Sequence, residues 1–479
     1  MTTFIISLII LFLGYFFYSK FVEKVFGADP NRQTPAYRLE DGVDYMPMNT
    51  AKVYLIQFLN IAGLGPIFGA ILGASYGPVA FIWIVLGAIF AGAVHDYFSG
   101  MLSLRQDGQS IGEVIGKWLG MSARQVGRFV TIFLMILVGA AFMTGPAKIL
   151  STSYGMNVNF WVALIFIYYF LATLLPIDKI IGRFYPVFGL ALLFMAIGVG
   201  GAMIVKGANI PELSLANLHN MHPDAQKYPI FPLLFVTISC GALSGFHSTQ
   251  SPLMARTIKN EKLGRKVFYG AMITEAVVAL IWAAAAMSYY GSVDGLHGAL
   301  AKYSQNAAPV VHEITNGWLG KVGGLLAVLG VVAAPITTGD TAFRSARLIV
   351  SDFTKVKQNK WQNRLLISIP IFAIAFLLTQ SRFDILWRYM FWTNQLLAGL
   401  VLWAVTVYLG KAHKLYWITL VPAAFITSVV ISYILVAPEG FRLNFVIGDT
   451  IAIVITMVLV LVFLYYRYKV WNRMAPVVA

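Results

Sequence analysis

The chain has 479 residues, 59% of them hydrophobic and 11% charged, with a formal net charge of +15. Soluble domains are about a quarter charged, so this composition excludes an ordinary soluble globular protein and points to an all-α polytopic membrane protein. The positive balance alone would suit a nucleic-acid binder, but its distribution along the chain makes it a topology signal; the single cysteine, Cys240, excludes an intrachain disulfide.

The first apolar stretch, FIISLIILFLGYFF at 4–17, lacks a basic n-region and a small-residue cleavage pattern, so it reads as a retained span. A membrane helix needs roughly 20 apolar residues. About thirteen transmembrane helices are predicted on that basis, near 3–19, 52–74, 79–103, 128–148, 158–176, 186–205, 229–254, 267–290, 320–346, 364–380, 386–409, 416–436 and 448–467. Segments on one side then hold 26 Lys and Arg and those on the other 8, with Arg344 inside a span. That asymmetry places the N-terminus outside and the C-terminus in the cytoplasm. Residues 1–51 form the first span and a cytoplasmic loop.

The second span, KVYLIQFLNIAGLGPIFGAILGA at 52–74, carries Asn60, Gly63, Gly65 and Pro66 at its centre. Two glycines and a proline there interrupt the hydrogen-bond ladder, and Pro66 suits the first turn of a restarting half-helix. Freed backbone groups must be buried or line a cavity. The third span ends GAVHDYFSGMLSLRQDG, where Asp96 reads equally as a proton carrier and as a partner for Arg105. After it, SIGEVIGKWLGMSARQ at 110–125 is a short amphipathic segment expected on the cytoplasmic surface. Lys148, Asp178 and Lys179 fall at expected span boundaries, where snorkelling accounts for them.

The seventh span repeats the interruption. Its centre holds Ser239, Cys240, Gly241, Ser244 and Gly245, followed by His247. His247 reads either as a group titrating near neutral pH or as a histidine packed between helices. The two interruptions lie five spans apart, an odd number, so the units they begin have opposite orientation. A five-plus-five inverted repeat follows, with 52–205 as the first repeat, 229–409 as the second and 410–479 as two C-terminal spans. Corresponding broken helices in two halves point to a transporter's central site. Asn60, Gly63, Gly65, Ser239, Gly241, Ser244 and His247 are therefore the predicted substrate-binding residues.

The ninth span closes on PITTGDTAFRSAR at 335–347. Thr337, Asp340, Arg344 and Arg347 share one helical face. Counted from Val322, a membrane-deep helix of about 20 residues ends near Thr341. Arg344 and Arg347 are then expected at the cytoplasmic edge, as a gate or anchor, with Asp340 just inside.

The loops at 206–228 and 291–319 hold His219, His222, His297 and His312 without metal-ligand spacing, so no metal site is expected. HExxH and Walker A are missing from the sequence, and GLGP is no dinucleotide fingerprint. No enzyme activity and no cofactor are predicted.

FLNIAGLGPIFGAILGASYG, GAVHDYFSGMLSLRQDGQSIGE, CGALSGFHSTQSPLMAR and PITTGDTAFRSARLIV together resemble the carbon starvation protein A family, in matching order from about residue 52 to 350. The resemblance implies a bacterial inner-membrane transporter induced in carbon shortage, taking up peptides or pyruvate with protons, and sodium as the other coupling ion to consider. The family is grouped with the amino acid–polyamine–organocation transporters, whose fold resembles the leucine-type sodium symporters. In that fold the first and sixth core helices, here 52–74 and 229–254, bind substrate. The eighth, here 320–346, places Thr337 and Thr338 near a cation-type position.

The expected partners are thus a small-molecule substrate, protons and the lipid bilayer, with no nucleic acid; protein partners are unknown. Asp340 leads for coupling or gating. If Arg344 holds it as an ion pair, the proton loads at His247 or Asp96 instead. A membrane nutrient sensor or a channel is the alternative, separable from a transporter by uptake against a gradient.

Overall fold

The computed structural model describes residues 1–42, 45–174, 177–356 and 360–477; the side chains at 173–186, 327–328, 352–353 and 383–384 lie outside the description, Asp178 and Lys179 among them. Every regular element among the described residues is helical, with no strand. In chain order they are α1 (Thr2–Phe26), α2 (Thr50–Ile61), α3 (Gly65–Tyr76), α4 (Val79–Arg105), α5 (Ile111–Leu119), α6 (Met121–Tyr154), α7 (Val158–Leu174), α8 (Ile177–Val205), α9 (230–237), α10 (Gly245–Ala255), α11 (Arg265–Tyr289), α12 (Val293–Lys302), α13 (Ala307–Leu326), α14 (Leu329–Ser351), α15 (Trp361–Thr379), α16 (Phe383–Lys411), α17 (Trp417–Val436) and α18 (Phe445–Arg473).

Among the described residues, nine helices are long and apolar enough to cross a membrane, or up to eleven when each bent pair counts as one span. The bent pairs are α2 with α3, at 53°, and α13 with α14, at 55°. Two expected spans stand apart. Residues 158–176 contain a shorter apolar helix, Val158–Ala172, and 229–254 splits into α9 and α10.

The layers follow from side-chain size and polarity. α1 and α18 leave Ile, Leu, Val and Phe exposed along most of their length, as lipid-facing helices do. At the centre lies α11, buried along nearly its whole length, with Ala283, Ala284, Ala285 and Ala286 in succession. Small residues let neighbouring backbones approach closely. Gly27 ends α1 at φ +77°, a left-handed conformation that glycine adopts without a Cβ clash. α5 turns Ile111, Val114, Ile115 and Trp118 inward, so its apolar face covers protein, while Glu113 on its polar face pairs with Arg124 and Arg128 of α6.

The α13–α14 bend revises the depth expected for PITTGDTAFRSAR. The arm carrying this stretch starts at Leu329, not Val322. A helix of about 20 residues from there reaches beyond Arg347. Arg344 and Arg347 are accordingly not at a wet edge: each is only 5% exposed, and Asp340 1%.

Candidate functional site

The first break lies between α2 and α3. The Ala62 amide still bonds to Phe58 O at 2.8 Å, but the Gly63 amide turns back to Ile61 O at 3.0 Å. The Leu59 carbonyl thereby loses its helical donor. Thr338 of α14 meets it with its hydroxyl at 3.4 Å, while also bonding Ala334 O at 3.0 Å. Thr337 turns to Ala334 O at 2.6 Å. Of the predicted ion-coupling residues, Thr338 thus hydrogen-bonds the first break.

The second break, Ile238 to Ser244, is held by Asn394 of α16, a residue that the sequence reading did not single out. Its Oδ1 accepts from the Phe246 amide at 2.7 Å and from the Ser244 hydroxyl at 3.1 Å; its Nδ2 donates to Ser239 Oγ at 3.3 Å. One buried amide therefore caps the start of α10 and ties it to the preceding loop. The breaks touch each other: a Cβ on Gly65 would sit 2.3 Å from Cys240 Sγ. Gly63 is filled by the Phe142 ring and Gly241 by Ala279, whose Cβ would be 2.4 Å from one added there. Asn60 and Gln57 are buried at the end of α2, with Asn60 Oδ1 and both Gln57 amide atoms lacking a hydrogen-bond partner among the described residues. The predicted substrate residues are thus brought together, in tight packing. Open space lies beyond them, in a cavity of about 180 Å³ bounded by Phe68, Leu72, Tyr76, Thr237, His222 and Arg388.

His247, in the first turn of α10, is no isolated histidine. Its Nδ1 lies 2.8 Å from Asp96 Oδ2, and the other Asp96 oxygen lies 2.8 Å from His95 Nδ1. His247 Nε2 lies 3.2 Å from Glu275 Oε2 of α11, close enough to pair charges but off the line of a hydrogen bond. All four side chains are fully buried. A carboxyl oxygen beside each ring nitrogen suits the doubly protonated imidazole, which hydrogen-bonds Asp96 from Nδ1 and faces Glu275 with its positive charge at Nε2. Ser99 and Ser251 join α4 to α10 beside the cluster, 3.4 Å apart. No group of three or more His, Cys, Asp and Glu among the described residues is arranged to hold a metal ion.

Asp96 does not partner Arg105. That arginine holds Glu261 through Nε to Oε1 at 3.0 Å and Nη2 to Oε2 at 2.9 Å, and reaches Gly27 O at 2.7 Å. The Asp29 amide also donates to Glu261, at 2.8 Å. The end of α4, the loop before α11 and the segment after α1 are thus fastened together. Asp340 is gripped by Arg344, whose Nε lies 3.2 Å from each carboxylate oxygen and whose Nη2 donates to Ala172 O.

Glu275 and Asn394 were missed although each carries a signal. Glu275 is the lone acid in the apolar run 267–290, and an ionisable residue at membrane depth marks function. Asn394 sits in FWTNQLLAGL, again polar in an apolar setting.

The family described as "Carbon starvation protein CstA" matches residues 1–153, 145–321 and 292–433. Among curated relatives, "Peptide transporter CstA" of Campylobacter jejuni is 27% identical over 552 residues, covering 87% of this chain and 77% of that protein. "Pyruvate/proton symporter BtsT" of Escherichia coli is 29% identical over 343 residues, covering 57% of this chain and 47% of its own length. Among solved structures, a mutant manganese transporter of Eremococcus coleocola superposes with a TM-score of 0.54 at 14% identity, covering 89% of this chain and 95% of that one. The last is a likeness of fold alone. The chain belongs to the carbon starvation protein CstA family and is a multi-pass membrane transporter rather than an enzyme.

Proposed function

From membership of this family, we propose that the chain is a secondary active transporter that takes up small carboxylate-bearing nutrients, peptides or pyruvate, together with protons across the bacterial inner membrane. The observation that carries the reading is the junction of the two breaks at Gly65 and Cys240, with the fully buried Asp96–His247 pair in the first turn after the second break. A half-helix N-terminus attracts a carboxylate. A buried acid–imidazole pair moves a proton within the membrane. The names of the relatives, a peptide transporter and a pyruvate/proton symporter, agree with both.

In this reading the substrate carboxylate is received between Asn60, Gly63 and Gly65 of the first break and Ser239, Gly241, Ser244 and His247 of the second. Coupling runs through the buried group that Asp96 and His247 form with Glu275, because Asp340 has both oxygens on Arg344; that pair acts as a gate. The chain crosses the membrane thirteen times with the N-terminus outside, and residues 52–205 and 229–409 are inverted five-helix repeats. The Thr338 hydroxyl at Leu59 O favours one second reading, in which sodium is held at that corner instead of protons driving uptake.

Uptake of labelled pyruvate and of a labelled dipeptide into proteoliposomes, with and without an imposed proton or sodium gradient, tests the proposal. Accumulation against a concentration gradient is expected with the proton gradient. Equilibration without accumulation would make the chain a channel, and binding without uptake a sensor.

A further inference from the structure

His247 lies between two carboxyl groups that differ in their surroundings. Asp96 has both oxygens in hydrogen bonds, one to His95 and one to His247. Glu275 faces the opposite ring nitrogen, yet neither of its oxygens receives a hydrogen bond from any described residue. An ionised carboxylate stripped of water and given no donor is costly, whereas the neutral acid is tolerated. Charge counting leads the same way. A doubly protonated His247 between two ionised carboxylates leaves one negative charge in excess in the membrane interior, and one proton on Glu275 removes it.

Among the described residues, no lysine or arginine pairs with the cluster. From α4 the cluster is faced by Asp96 with His95, from α10 by His247, and from the second break by the Cys240 thiol, which interacts electrostatically with Glu275. Glu275 also lies one helical turn before Ala279, the residue that fills Gly241 of the second break. A change of charge at Glu275 is therefore felt at the candidate substrate site.

We propose that Glu275 is the binding site of the transported proton, with Asp96 remaining ionised to hold His247 in place. This rests on the proton-coupled reading above. Loading adds one proton to a Glu275 carboxylate oxygen and takes the Asp96–His247–Glu275 group from a net charge of minus one to zero; release reverses it, and no other bond changes.

The test uses the full chain in proteoliposomes and in detergent. For Glu275→Gln, the ratio of accumulation driven by a pH gradient to exchange between equal pools should fall roughly tenfold or more, the scale on which a positioned proton carrier contributes. A second readout needs no substrate. An infrared pH titration of the purified protein should show a protonated-carboxyl C=O band in the wild type that is missing from Glu275→Gln and retained in Asp96→Asn. Should Glu275→Gln fail to fold, a band displaced in Glu275→Asp carries the same information. An unchanged ratio, or a band unchanged by substitution at Glu275, overturns the proposal. If the wild type moves neither pyruvate nor dipeptide, the substrate reading fails while the infrared band still decides the role of Glu275.

Discussion

Arg105 grips Glu261 through two parallel hydrogen bonds, at 3.0 and 2.9 Å, with the Glu261 side chain wholly buried. Bidentate guanidinium–carboxylate pairs are strong and geometrically exacting. Removing one partner of a buried pair strands the other charge, which costs about 3–5 kcal/mol. Glu261→Gln is therefore expected to lower thermal stability by that order, and Arg105→Lys to recover only part of it, because a lysine cannot make the fork. Melting of the purified variants measures this. Cysteine labelling at Asp29→Cys should rise in Glu261→Gln as the 27–32 segment is released; labelling equal to that in the Glu261 background would remove the fastening role.

The Asp340–Arg344 pair is expected to behave as a gate. Asp340→Asn should slow uptake while leaving its dependence on the proton gradient intact, and the stranded Arg344 should destabilise the fold by about 3 kcal/mol. Loss of proton dependence in Asp340→Asn would move coupling from the Asp96–His247–Glu275 group to Asp340. A double variant, Asp340→Asn with Arg344→Met, should melt above the single one.

The contact of Gly65 with Cys240 leaves no room for a methyl group. Gly65→Ala is expected to force the two breaks apart, to cost about 1–3 kcal/mol through overpacking, and to abolish uptake. Because both Cys240 Sγ and its Cβ crowd this spot, Cys240→Gly added to Gly65→Ala should restore uptake in part and Cys240→Ala should not. Equal rescue by both would show that the crowding lies elsewhere.

Asn394→Ala should strip the cap from α10. Losing an N-cap costs about 0.5–2 kcal/mol, and the Ser239 and Ser244 hydroxyls lose a buried partner as well. The expected result is a lower melting temperature and a raised KM for uptake. A melting curve and KM both equal to wild type would contradict the capping role.

His222 provides a control on pH. It lies outside the spans, with its ring against Tyr76 and Tyr228, and burial, then the nearby His297, lowers its pKa to about 4. The folded pKa is depressed, so the unfolded chain binds the proton first, near pH 6.5. Stability from this group is complete above about 6.5 and is lost as pH falls towards 4. His222 stays neutral at pH 6, so His222→Gln should leave the pH profile of uptake between about 6 and 7.5 unchanged. A displaced profile would place part of the coupling in the cavity that His222 lines.

Both interruptions were legible in the sequence because Gly63, Gly65, Pro66, Gly241 and Gly245 act on the backbone locally, whatever surrounds them. Asp96 and His247 were legible as polar residues at depth. Their pairing was not, since it depends on α4 and α10 lying side by side across 151 residues of chain. The burial of Arg344 and Arg347 was not legible for a similar reason. A bend between α13 and α14 is a property of tertiary packing, and the apolar run through 322–334 carries no proline or polar group to mark it.

The alanines of α11 have a mechanical consequence. Gly241 rests on Ala279, and Ala283 and Ala286 follow on the same face of α11 with methyl groups only. A surface of methyls has shallow corrugation. A neighbour that tilts across it need not lift over a long side chain or wait for one to change rotamer. α11 is in that sense a bearing, and bulk added at one of these alanines would be felt first as friction, in the rate of turnover, before it was felt as a loss of fold.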